Sequence, residues 1–350
     1  MCAENRILFR SGLSLLAFVF LCVGSTSQAI GQSAFPSRLD EYLTKVLKLS
    51  AEERQLLLRG APLAKNLEAD PAKEVAVFGG IWIVAPVAKY IALLQDIENF
   101  EKGPGFRATK KVSEPARIED FAALVLPNDD VQDLKSCKVG NCELKLSAEA
   151  LARVKKEVDW TKPDAKVQLE RLVRAMAVDY VNAYREGGNS RLAVYRDGAN
   201  PTFVANEFRE LVRGMPELGQ YLPDMRQYLL EYPKATARPT TSFIYWQEAE
   251  FGLKPTIRLS HVAIQEGNDA TIVASKQLYS SHYFWTALEL RALVPDPSRG
   301  TGFWFVNVNR SRSDGLTGFV GRIIRGKVRE AARSGIESAL TAAKKRLEAR

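Results

Sequence analysis

Three features of the sequence predict an α+β chain in which an antiparallel sheet holds a long C-terminal helix. Runs between Ser242 and Val308 alternate in strand period and are joined by short turns. From Leu316, apolar residues recur at helical spacing through Phe319, Ile323, Val328, Ala331, Gly335, Ala339, Ala343 and Leu347, giving one apolar stripe on a helix of about 30 residues. Before the sheet, Ser147 to Tyr232 reads as a helical insert. A one-faced helix that follows antiparallel strands needs the sheet to cover its apolar side.

Taken in order, residues 1–29 place Arg6 and Arg10 before an apolar run from Leu13 to Val23, then small and polar residues ending at Ala29. This is the pattern of an export signal, and the apolar run is too short to span a bilayer. Leu21 before Cys22 argues against lipid attachment. An exported chain, periplasmic or secreted, is expected. Removing Arg6, Arg10 and Glu4 lowers the net charge from +8 to +7. That charge is too dilute for nucleic acid, although it permits peripheral contact with an anionic membrane. Cys137 and Cys142 flank a Gly-Asn turn, which favours a small-loop disulfide over half a zinc site.

Residues 30–72 form a helical arm, with a capping box at Ser50 and Glu53 and Gly60 just past the second helix. Residues 73–146 hold a strand from Glu74 to Ala85, bent or bulged at Gly79 and Gly80, then an amphipathic helix from Val87 to Phe100 and a return strand from Phe106 to Val112. Asn128, Asp129 and Asp130 read as a solvated turn and helix cap, since the oxygen spacing of a calcium loop is missing. Residues 147–235 are the helical insert, and residues 236–350 the antiparallel sheet and C-terminal helix.

The strand from Val75 to Ala85, the helix from Val87 to Phe100, the strands from Ser242 to Val308 and the helix from Leu316 to Leu347 occur in an order that resembles the START-like, or helix-grip, fold. Several stretches, including the Cys137 to Cys142 loop and the run from Tyr279 to Trp285, are also similar to an uncharacterised family of exported bacterial proteins. The START-like resemblance implies an apolar cavity between sheet and C-terminal helix, holding a lipid or other apolar or amphipathic small molecule. Its wall would come from Tyr245, Ile257, Tyr279, Tyr283, Trp285, Phe305, Phe319 and Ile323.

Catalysis has one weak candidate, His282 among Ser280, Ser281, Tyr279 and Tyr283, in a hydrolase or cyclase reading. His261 next to Ser260 cannot pair with it, because neighbours on a strand point to opposite faces. The sequence lacks a nucleophile elbow, a phosphate loop and a dinucleotide fingerprint, so no cofactor and no metal are expected. Arg310 and Arg312, two apart on a strand, are an anion-binding candidate; the alternative is that both pair with acidic neighbours. The other non-catalytic reading is a cell-envelope scaffold.

Overall fold

The computed structural model describes residues 35–103, 105–250, 254–314, 316 and 318–349, except for the side chains of Gly318, Phe319, Val320 and Arg322. The export-signal reading of residues 1–29 lies outside the described residues. The chain opens with α1 (Ser37–Glu41), which runs on into a π-wound turn (Tyr42–Val46). Next come α2 (Ala51–Leu58), β1 (Leu63–Asn66), β2 (Glu74–Ile83), α3 (Val87–Gln95), α4 (Ile97–Phe100) and β3 (Phe106–Val112). α5 (Asn128–Ser136) follows, and the insert then holds α6 (Ala148–Glu157), α7 (Ala165–Gly187), a small hairpin of β4 (Val194–Tyr195) and β5 (Thr202–Phe203), α8 (Val204–Arg213), α9 (Pro216–Gln220) and α10 (Pro223–Glu231). The meander is β6 (Thr241–Ala249), β7 (Thr256–Gln265), β8 (Thr271–Ser280), β9 (Phe284–Pro295) and β10 (Phe303–Ser313), and α11 (Gly318–Glu348) ends it.

Eight strands form one open antiparallel sheet in the order β1-β2-β10-β9-β8-β7-β6-β3. The first long strand, β2, therefore lies beside the last, β10, over the full register from Phe303↔Ile83 to Arg312↔Glu74. The edges are β1 and β3. β1 adds a strand to the arm that the sequence pattern did not indicate.

Strand alternation divides the sheet into two faces. On one, Ile81, Ile83, Phe243, Tyr245, Phe303 and Phe305 pack with Tyr90, Ile91 and Leu94 of α3 and with Leu340 and Leu347 of α11. On the other, Phe78, Trp82, Leu288, Leu290, Trp304, Val306 and Val308 meet the arm and α8 to α10, while Ile244, Trp246, Ile257, Leu259 and Leu278 meet the rest of the insert. The capping box expected at the start of α2 is present: Ser50 Oγ accepts from Glu53 N at 3.2 Å, and Ser50 N donates to Glu53 Oε2 at 2.8 Å.

Gly79 and Gly80 make no bulge, because β2 keeps continuous register with both neighbours. They serve close packing instead. A Cβ on Gly79 would lie 2.4 Å from Ile336 Cγ2, and one on Gly80 would lie 3.1 Å from Leu57 Cδ2. The glycines let α11 press on one face of β2 and α2 on the other. α11 continues to the far end of β2, where Lys344 Nζ donates to Trp82 O at 2.8 Å and Lys89 Nζ to Leu347 O at 2.7 Å.

Candidate ligand site

A groove opens on the face away from α11. β9 presents Leu290, Ala292 and Val294 there, β10 presents Val306 and Val308, and β8 adds Ile272. These residues share a wall because the register sets Val308 opposite Leu290 and Val306 opposite Ala292, with Ala292 also opposite Ile272. The arm from Pro36 to Tyr42, the segment from Glu217 to Asp224 and the turn from Gln265 to Ala270 form the other walls. The groove has a volume of about 800 Å³, within the range of small-molecule sites.

Its apolar floor has a polar margin. Tyr42 OH, Tyr221 OH and Glu217 Oε1 are buried without a hydrogen-bond partner, and all three residues line the groove. The Tyr42 and Tyr221 rings meet edge to face at 5.8 Å. Burial raises the Glu217 carboxyl above its ordinary range, with its own backbone N–H and the Arg310 guanidinium pulling the other way. Burial, then the nearby Glu217, pushes the Tyr42 hydroxyl well up. Unpaired buried polar atoms cost about 1–3 kcal/mol each, so a partner that satisfies them gains binding energy from the protein's own deficit.

Arg310 and Arg312 lie on this same face, inside β10 rather than beyond it, since the strand continues through Ser313. Both are buried and taken by carboxylates. Arg310 Nη1 donates to Glu74 Oε1, and Arg312 Nε approaches Glu207 Oε2 at 3.0 Å as an ion pair off the hydrogen-bond line. The pairing alternative describes their geometry. Asp314 does not face them; it pairs with Lys145 at 3.0 Å.

The aromatic wall expected beside the C-terminal helix is not brought together. Tyr245 and Phe305 are packed on the α11 face, where Tyr90 lies 5.2 Å from the Phe305 ring. Ile257 and Tyr279 belong to the insert face, with Tyr279 between Tyr180 and Tyr195 at 6.3 and 6.1 Å. Tyr283 has φ +60° at the junction of β8 and β9, and its hydroxyl accepts from Lys254 N at 2.8 Å. Trp285 is half-buried with Lys73 Nζ 5.9 Å from its ring centre. Ile323 is 51% exposed on α11, and the Phe319 side chain is outside the described ones.

His282 is buried with both nitrogens occupied. Nε2 faces Asp130 Oδ1 at 3.1 Å and Oδ2 at 3.2 Å, and Nδ1 faces Glu143 O at 3.2 Å. Asp130 is therefore no solvated cap residue; it is 1% exposed and anchors α5 to the sheet junction. Ser280 Oγ donates to the His282 carbonyl at 2.7 Å, and Ser281 Oγ accepts from Ile257 N at 3.0 Å. Neither serine uses the ring, so the imidazole holds the junction and presents no free base nitrogen.

A second buried cluster escaped the sequence reading. His261 and Lys276 are opposite each other on β7 and β8. Tyr184 OH lies 3.0 Å from His261 Nδ1 and Tyr228 OH 3.3 Å from Nε2. Lys276 Nζ donates to Asn189 Oδ1 and lies 4.2 Å from the Phe208 ring centre. Burial lowers Lys276 to about 7; burial first, then the Lys276 and Arg185 charges, lowers His261 to about 3. The signal in the chain was a lysine on the strand face that also carries Ile272, Ala274 and Leu278.

Among the described residues no three His, Cys, Asp or Glu side chains converge as a metal site, and no helix is long and apolar enough to cross a membrane. The Cys137 and Cys142 sulfurs lie 2.08 Å apart, at disulfide distance. No family model matches the chain, and no curated protein matches it significantly.

Proposed function

We propose that this chain binds an apolar or amphipathic small molecule in the groove between the sheet and the N-terminal arm. The observation that carries the reading is an open volume of about 800 Å³ floored by Ile272, Leu290, Ala292, Val294, Val306 and Val308, with unpartnered polar atoms at its margin. Apolar surface removed from water contributes roughly 25 cal/mol per Å², and a few polar contacts fix orientation. The helix-grip likeness belongs to the same proposal. Its support is the place of β2 beside β10, of β3 at the far edge, and of α11 along β2. The ligand site is placed on the opposite face from α11, because Tyr90, Phe303 and Phe305 fill the space beneath α3. Export is also proposed, and the Cys137–Cys142 pair at bonding distance supports it.

Binding of the uncharged apolar fluorophore Nile red tests the site. Ala292→Trp puts an indole into the groove and is expected to weaken binding at least about tenfold, or 1.4 kcal/mol. Phe305→Leu on the other face is expected to leave binding unchanged. Equal binding by wild type and Ala292→Trp would refute the placement.

A further inference from the structure

The groove is acidic although the chain is basic. Its charged lining residues are Arg38, Glu217, Asp224, Glu266 and Asp269, four carboxylates against one guanidinium, in a chain of net charge +8. Arg38 donates to Tyr221 O at 3.0 Å. Among the described residues Asp224, Glu266 and Asp269 have no ion-pair partner, whereas the two arginines behind the groove, Arg310 and Arg312, are held by Glu74 and Glu207. The guanidinium groups behind the groove thus face the protein's own carboxylates, with Arg310 also acting on Glu217 through space, while the carboxylates at the mouth have no such partner.

Glu217 makes this more than an acidic rim. It is 6% exposed, its Oε1 has no partner, and it lines the groove together with Tyr42 and Tyr221, whose rings meet edge to face. A buried carboxylate oxygen without a donor, in a groove that two tyrosines also line, is the surrounding that an ammonium satisfies through a charge-assisted hydrogen bond. A fatty-acid carboxylate would bring a fifth negative charge to the same place. An uncharged alcohol would meet Glu217 Oε1 with one neutral hydrogen bond, about half as strong.

Resting on the reading of the groove as a ligand site, we infer that its ligand is an amphiphile with a protonated amine head, the ammonium seated at Glu217, Tyr42 and Tyr221 and the apolar body lying along β9 and β10. The strand geometry gives the tail its direction. From Val308 and Leu290 the wall runs through Val306 and Ala292 to Val294, and Pro295 and Pro297 line the groove beyond.

The test is displacement of Nile red at pH 7 and low ionic strength by dodecylamine, dodecanol and dodecanoate, each below its aggregation concentration. Dodecylamine is expected to displace at about tenfold lower concentration than dodecanol, the size of one charge-assisted contact, with dodecanoate the weakest. Glu217→Gln keeps the shape and removes the charge. It is expected to bring amine and alcohol within about threefold of each other, each displacement being referred to the variant's own Nile red affinity. Dodecanoate or dodecanol matching the amine on wild-type protein would overturn the inference and leave the groove standing, as would an amine preference that survives Glu217→Gln. Nile red binding that ignores Ala292→Trp would overturn both.

Discussion

Replacing Lys276 by Met should change how stability depends on pH. Lys276 Nζ is fully buried, its contacts are Asn189 Oδ1, Tyr184 OH at 3.4 Å and the Phe208 ring, and among the described residues no carboxylate pairs with it. Burial holds its folded pKa near 7, against 10.5 for the free side chain. Between those values the unfolded chain binds the proton and the folded chain does not, so stability rises with pH. The slope approaches about 1.4 kcal/mol per pH unit, and from pH 7 to 9 the gain is about 2 kcal/mol. Below about 7 both states carry the proton, so the cost of burying the charge is at its full value and no longer varies with pH. The range from pH 7 to 9 also avoids His261, which costs stability only in acid, and the buried tyrosines 180, 195 and 279, whose raised values act above about 10. Denaturant unfolding of wild type and Lys276→Met, at constant ionic strength, should show a positive slope in the first that is smaller in the second by the predicted amount. Parallel slopes would refute the account of Lys276 as a neutral buried amine.

Two further substitutions test the packing. Gly79→Ala should cost about 1–3 kcal/mol by overpacking against Ile336, and adding Ile336→Ala should recover part of the loss in a double-mutant cycle of unfolding midpoints; additive losses would mean that α11 does not press on β2 there. Asp130→Ala should cost about 1–3 kcal/mol, because it leaves His282 Nε2 buried without its acceptor; a loss under about 0.5 kcal/mol in chemical denaturation would show that the pair does not hold α5 to the sheet.

The strands of the meander were readable because a half-buried strand must alternate: the runs Ser242 to Glu250, Pro255 to Gln265, Thr271 to Tyr279 and Phe284 to Leu293 lie within two residues of β6 to β9. The capping box was readable because its two hydrogen bonds join residues three apart. What alternation cannot tell is which helices cover which face. Tyr245 and Ile257 each occupy a definite side, yet only tertiary packing reveals that α3 lies over one and the insert over the other. The apolar pattern of β10 stops at Val308, and whether Arg310 and Arg312 hold an anion or pair with acidic neighbours could not be read, because Glu74 and Glu207 are distant in sequence. Asp130 looked like a cap residue for the same reason, its partner being His282. The groove was hidden most completely, since its walls come from the arm, the segment around α9, a hairpin turn and three strands. β1 is only four residues long and pairs at an edge, too short for a period to register.

The most direct test of the ligand-binding reading is mass spectrometry on organic extracts of the protein purified without detergent from an exporting host, with Ala292→Trp prepared in parallel. The account predicts an amphiphile near one equivalent in the wild-type extract and its loss from the folded variant. A wild-type extract without amphiphile, together with no measurable Nile red affinity, would contradict it, and so would equal amounts of amphiphile in both proteins.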